Sequence, residues 1–257
     1  MTKSPNWTRE ELILAFNLYL KLDFGKMHKG NPEVIKLAGI LGRRTPDSVA
    51  MRLTNFASVD PYHQKRGVKG MTGGYNQVKP IWNEFNSNRE NLVYESEQIL
   101  ANYKNETIEE AYSELTFDLT GLKGEVKDRI VKVRINQSVF RQMILKTYEN
   151  RCAVSGIDIP ELLVAGHIMP WSVSEQERLN PENGICLSNL YDRAYEKGLI
   201  CIDTDHRILI SKQLKEKKNK DYYIRFFEKF ENQAITIPKS YQPRKEFLEY
   251  RLERFEK

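Results

Sequence analysis

The chain has 257 residues, 40% hydrophobic and 11% aromatic, which is enough for packed cores in one large domain or two ordinary ones. No run approaches the roughly 20 apolar residues a membrane-spanning helix needs, so a membrane partner is excluded from the reading, and the net charge of +5 gives only a weak lean toward anionic partners. The charge is unevenly spread: Phe24 to Pro80 holds ten Lys or Arg against three Asp or Glu, whereas Ile81 to Asp118 holds two against nine.

The opening MTKSPNWTREEL has no apolar h-region and no small-residue cleavage site. Thr8 and Glu11 then form a capping box, Trp7 and Leu12 a staple, and Leu12, Phe16, Tyr19 and Leu20 a helical stripe. Asn31-Pro32 starts a second helix with Val34, Leu37, Ala38 and Leu41 on one face and Gly42 at its end; Thr45-Pro46 starts a third carrying Val49, Leu53 and Phe56 inward. The short turn between them contains Arg43 and Arg44, and the expected outward set of the third helix is Ser48, Arg52 and Asn55. Arg and Asn are the side chains that pair bidentately with guanine and adenine edges, so this pattern suits a helix in the major groove of double-stranded DNA. It equally suits an ordinary solvated helical domain. The glycine-rich stretch QKRGVKGMTGGYNQVK reads as a flexible basic loop, either a phosphate clamp through Lys65, Arg66 and Lys69 or a merely solvated loop.

Ile81, Trp82, Phe85 and Leu92 return the chain to the first core, and the acidic segment with Ile99, Tyr103 and Ile108 reads as a helical connector. The expected organisation is a mainly helical domain over 1–100, a connector over 101–124 and a second domain over 125–257, an α+β chain overall. In the second half VKVRIN reads as a strand and Phe140, Ile144, Leu145 and Tyr148 as a helix face. LLVAGHI reads as a buried strand ending at His167, Asn180 to Gly184 as a polar turn, and Leu187 to Lys197 as a short helix. LICIDTDHRILIS reads as a hairpin turning at Asp203 to His206. Two apolar faces follow, Tyr223, Phe226, Phe227 and Phe230, then Phe247, Leu248, Leu252 and Phe255, both read as packing.

Three pieces carry chemistry-bearing residues: VAGHIMPW, PENG and LYDRAYEKG. Imidazole has a reference pKa of about 6.5 and suits a general base near neutral pH, which makes His167 the candidate; a core histidine with both nitrogens satisfied is the plain alternative. Asn183 carries an amide that donates and accepts at once and so can pin a loop, or is simply a turn asparagine before glycine. Asp192 and Glu196 lie four apart on one helical face, nine and thirteen residues after Asn183; the bland reading has Asp192 paired with Arg193 or Lys197 on a solvated surface. His28, His63 and His206 have no such company. Cys152, Cys186 and Cys201 form no CxxC pair and leave an odd thiol, which favours small buried residues, a reducing compartment and a cytoplasmic location over a zinc site.

These pieces, with CAVSG before them and INQSVFRQMIL further upstream, stand in the order found in HNH endonucleases, and the chain over about Val131 to Ser211 resembles that family. The resemblance implies a ββα-metal unit of strand, loop, strand and helix gripping one divalent ion, Mg²⁺ or Mn²⁺, at a scissile phosphate of DNA. It also implies His167 as base, Asn183 as the residue that orients it, Asp192 and Glu196 as metal ligands, and phosphate steadied by Arg193 or Lys197. The chain departs from the family pattern at Gly166, before the base, and at Tyr191-Asp192, where a histidine is usual. WTREELILAFNLYL followed by LGRRTPDSVAMRLTNF resembles Myb-like and related helix-turn-helix domains and the domains preceding HNH modules in restriction-type nucleases. Together they imply a restriction or DNA-defence endonuclease, with a homodimer as one route to cutting both strands. The alternatives are a DNA-binding regulator or structural protein with an inactive HNH fold, and an RNA nuclease.

Overall fold

The computed structural model describes residues 6–22, 24–67, 72–119, 122 and 124–255. They form two compact units, 1–136 and 137–257.

In the first unit the capping signals act as the sequence suggests. The Thr8 side chain accepts from the Glu11 amide and Glu11 reaches back to the Thr8 amide, starting α1 (Arg9–Leu20). Asn31 and Thr45 cap α2 (Pro32–Leu41) and α3 (Pro46–Val59), each with proline at the first turn. Gly42 closes α2 at φ 64°, a positive φ that glycine adopts more readily than other residues because it has no Cβ. Asp60 caps the short α4 (Pro61–Lys65), and α5 (Tyr75–Phe85) and α6 (Arg89–Tyr103) complete the packing. At the centre the Phe16 ring stacks on Phe56 at 4.6 Å and leans on Trp82 at 5.2 Å, with Ile13, Val34, Val49, Leu53 and Leu92 buried around them.

The basic stretch after Pro61 is more helical than expected. Pro61–Lys65 is one helix turn and Tyr75 opens another, so Asn76 to Lys79 lie in α5. Lys69 falls outside the described residues. The segment 101–124, read as a connector, belongs to the first unit and holds the end of α6, α7 (Ile108–Ala111) and α8 (Ser113–Thr116).

One expected strand is absent. VKVRIN lies inside α9 (Glu125–Thr147), a 23-residue helix within which the two units divide. Its β-branched residues suggest a strand, but Val131, Ile135, Val139, Ile144 and Phe140 recur at helical spacing and are all buried.

In the second unit β1 (Leu163–His167) pairs antiparallel with β2 (Gly184–Ser188), in a register that sets His167 opposite Gly184. β2 is buried throughout, whereas Val164 and Ala165 of β1 are only half-buried, so β1 is less enclosed than expected. Gly184 is required by close approach, because a Cβ there would sit 2.3 Å from Ile144 Cδ1 and 2.8 Å from Phe140 Cζ. Helix α10 (Asn189–Glu196) follows β2 directly and packs on both strands. The hairpin of β3 (Ile200–Ile202) and β4 (Ile208–Ile210) turns where the sequence indicates: Asp203 Oδ1 accepts from the Asp205 and Arg207 amides, and His206 takes φ 60°.

Among the described residues three α-helices follow β4: α11 (Lys212–Lys215), α12 (Asp221–Phe226) and α13 (Lys245–Phe255). Tyr223 and Phe227 pack inward, but Phe226 is exposed, because α12 stops after six residues and the apolar face is never completed. Among the described residues no helix is long and apolar enough to cross a membrane.

Candidate active site

His167 ends β1 in a half-buried slot. Its ring lies flat on Phe140, centroids 3.9 Å apart and 12° between planes, and meets the edge of Trp171 at 5.3 Å and 87°. Its Nε2 is 2.9 Å from the carbonyl oxygen of Arg178. A carbonyl only accepts, so Nε2 carries the proton and donates it, which leaves the lone pair on Nδ1. That nitrogen has no protein partner among the described residues and is not sealed from solvent. Burial pushes the His167 pKa below the ordinary 6.5; the Arg178 carbonyl pulls it up, and the Arg178 charge lowers it again. The imidazole is thus held neutral, in one tautomer, with its basic atom open.

Asn183 builds the loop that carries that carbonyl. It is buried, its Oδ1 accepts from the Met169 amide at 2.8 Å, and its Nδ2 donates to the carbonyls of Met169 at 3.2 Å and Glu177 at 3.1 Å. One side chain therefore fastens both arms of the loop between β1 and β2. Arg178 completes the closure, with Nε donating to the Trp171 carbonyl at 2.8 Å and the guanidinium 5.0 Å from the Trp171 ring centre. Nothing in the sequence singles out Arg178, whose part is played mainly by a main-chain atom.

Asp192 projects from α10 onto β1. A Cβ on Gly166 would lie 2.7 Å from Asp192 Oδ1, so the glycine before His167 leaves the space that the carboxylate fills. Asp192 is half-buried and makes no hydrogen bond or ion pair among the described residues. Burial raises its pKa first and the charge of Glu196 adds to this, against opposing effects of Arg251 and Arg193. An unpaired, half-desolvated carboxylate is electrostatically suited to a cation. Glu196 shares the helical face but is exposed and pairs with Arg193 at 3.3 Å. No group of three or more His, Cys, Asp or Glu positioned to hold a metal occurs among the described residues. A divalent ion here would have Asp192 as its protein anchor, with Glu196 joining only by leaving Arg193. The cysteines stand apart from this site: all three are buried, and Cys152 Sγ accepts from the Ser155 and Ser188 amides.

Residues 152–203 match the family model described as HNH endonuclease. The HNH segment contains His167, Asn183, Asp192 and Glu196, and indicates a nuclease. No curated protein matches the chain.

The DNA-facing set expected in the first unit is partly corrected. Arg44 is buried: its Nε and Nη2 donate to the Glu11 carboxylate at 3.0 and 2.7 Å, and Nη2 also reaches the Asn6 carbonyl at 2.8 Å. Arg43 joins the same carboxylate through Nε at 2.8 Å while staying half exposed. Asn55 is buried rather than outward. Arg52 is half-buried, its guanidinium 4.9 Å from the Trp7 ring centre, to which Arg44 also approaches at 4.8 Å. Arg44 and Asn55 therefore have no access to a groove. Arg43, Ser48, Lys65 and Arg66 retain solvent access, and Arg66 lies over the Tyr62 ring at 5.0 Å. His63, left unassigned from sequence, is a buried core histidine among Tyr19, Phe24 and Tyr62.

Proposed function

We propose that the chain is a metal-dependent endonuclease that hydrolyses DNA phosphodiester bonds, with its ββα-metal site in the second unit. The observation that carries this reading is His167, neutral and oriented with Nδ1 free, directly following Gly166, against which the unpaired carboxylate of Asp192 lies, inside the HNH segment.

His167 Nδ1 takes a proton from a water that attacks phosphorus, and the P–O3′ bond breaks as the new P–O bond forms. The imidazolium keeps its Nε2–H on the Arg178 carbonyl, so no reorientation accompanies proton transfer. Asn183 acts as a positioning residue by fixing the loop that holds that carbonyl. When bound, a Mg²⁺ or Mn²⁺ ion supplies positive charge for the phosphate and the leaving oxygen. Arg193 and Lys197 are exposed at the end of α10, and in this reading they meet phosphate. Double-stranded DNA is the substrate of choice in this reading, with Arg43, Ser48, Lys65 and Arg66 as contacts from the first unit. A restriction or DNA-defence role is the natural use of such a pairing, and cutting both strands would require a homodimer or two visits.

Nicking of supercoiled plasmid tests the proposal, with Mg²⁺, with Mn²⁺ and with chelator. Cleavage is expected only with the metal, and Asp192→Asn is expected to raise the metal concentration for half-maximal rate by at least roughly 10–100-fold, the range that loss of an outer-shell partner alone produces. The sparse ligand set favours one rival, an inactive HNH fold, and failure to cleave with any divalent ion would establish it. Cleavage of structured RNA in preference to duplex DNA would instead establish an RNA nuclease.

The depressed His167 pKa also fixes the pH profile. The base is lost only when the folded protein binds a proton, so the acidic limb of kcat/KM should have its midpoint below 6.5. Stability moves the same way: the unfolded chain takes up the proton first, so this contribution is present above 6.5 and is lost as pH falls through the folded pKa. A limb centred at or above 6.5 would show that another group governs the reaction.

A further inference from the structure

A cavity of about 270 Å³ opens in the second unit between the end of α10 and the face of α13, lined by Pro170, Glu196, Lys197, Tyr250, Arg251 and Arg254 among others. Pro170 is three residues past His167, and Glu196 is one turn past Asp192. The cavity therefore adjoins the candidate active site, and α13 is fixed to that site. Just before the helix, Arg244 forms an ion pair with Glu182 and donates its amide to the Glu182 carbonyl at 3.0 Å, next to Asn183.

The lining holds three cations against one carboxylate, and that carboxylate is turned to Arg193. Arg251 lies over the Tyr195 ring at 4.4 Å and gives one Nη2 donor to the Tyr195 carbonyl at 2.9 Å. No carboxylate pairs with it among the described residues, and its charge reaches Asp192, whose pKa it lowers. Arg254 lies over the Tyr250 ring at 3.6 Å, with Nη1 on the Tyr250 carbonyl at 2.7 Å and Glu253 alongside at 3.6 Å. Stacking on tyrosine fixes the plane of a guanidinium without neutralising it, and leaves most of its five donors for an acceptor with several oxygens.

We propose that this cavity binds a backbone phosphate of the DNA strand that occupies the His167 site, with Arg251 and Arg254 as the main donors and Lys197 at the rim. The inference rests on the nuclease reading for its choice of ligand, and its test needs no chemistry. Binding of a fluorescent duplex oligonucleotide to the full chain is measured against salt in a His167→Ala background, for the parent, Arg254→Gln and Arg251→Gln/Arg254→Gln. Loss of this one phosphate contact should flatten the slope of log affinity against log salt by about 0.9, in full for the double variant and in part for Arg254→Gln. Arg254 is exposed, so Arg254→Gln decides the matter even if the double variant does not fold. An unchanged slope in folded Arg254→Gln would overturn the proposal. So would inorganic phosphate binding that both substitutions abolish while the DNA slope stays the same, because the site would then serve a free anion. If the wild type nicks plasmid but the slope is unchanged, only this subsite fails; if the slope falls but no plasmid is cut, only the nuclease reading fails.

Discussion

His167→Ala should lower the DNA cleavage rate by about 10²–10⁴-fold, the usual contribution of a positioned general base, while DNA affinity stays near that of the parent. The imidazole offers its lone pair only through Nδ1, because Nε2 is committed to the Arg178 carbonyl, and the second unit's other histidine, His206, lies in the β3–β4 turn and not on β1. The substitution also removes a ring stacked on Phe140 at 3.9 Å, a contact worth about 0.5–1.5 kcal/mol, so the melting temperature should drop modestly without loss of the fold. Single-turnover cleavage and thermal melting of the same preparation separate the two effects. Cleavage at the parental rate by a folded variant would show that water is activated elsewhere. Asn183→Ala offers a useful contrast, since it frees both arms of the loop and should lower rate and stability together.

The parts of this site that were legible in the sequence are those whose signals are local. A capping box, the hairpin turn at Asp203 to His206 and the order strand, turn, helix are each written within a few residues, and the structure realises them, although Leu187 and Ser188, read as the start of the helix, end strand β2, which the residues alone did not show. Gly166 shows a signal that was visible but incomplete: it marks an absent side chain at the residue before His167, yet only the fold shows that Asp192 fills the space. Arg178 carried no signal at all, because a backbone carbonyl looks the same in every residue. Arg251 and Arg254 carry no signal of their own, because the apolar stripe of their helix accounts for that helix as packing. VKVRIN misled for a different reason: β-branched residues favour a strand locally, but burial of Val131, Ile135 and Val139 on one face of a long helix outweighs a propensity worth only tenths of a kcal/mol per residue. Arg44 and Asn55 illustrate the same limit in the first unit, since exposure at the surface of a helix depends on partners far along the chain. The partner of Arg44 lies 33 residues away.

That partner sets the second large effect, Glu11→Ala. Glu11 is fully buried and its carboxylate accepts from the Thr8 amide, from Arg43 and twice from Arg44, whose side chain is only 2% exposed. Burial alone would raise the carboxyl pKa, but these donors outweigh it and hold the group at about 2. Removing the carboxylate strands the Arg44 guanidinium in the core and deletes half of the capping box, so the first unit should lose about 3–5 kcal/mol, the usual cost of breaking a buried pair from one side. Glu11→Ala combined with Arg44→Met should recover much of this, because it removes the stranded charge as well. A loss below about 1 kcal/mol in the single variant, measured by urea unfolding, would show that Arg44 finds water or another partner. The sign with pH follows from the depressed value: the contribution is fully present above the ordinary 4.5 and is lost as pH falls through about 2. The parent should therefore lose stability over that interval, and Glu11→Ala should lack this part of the loss.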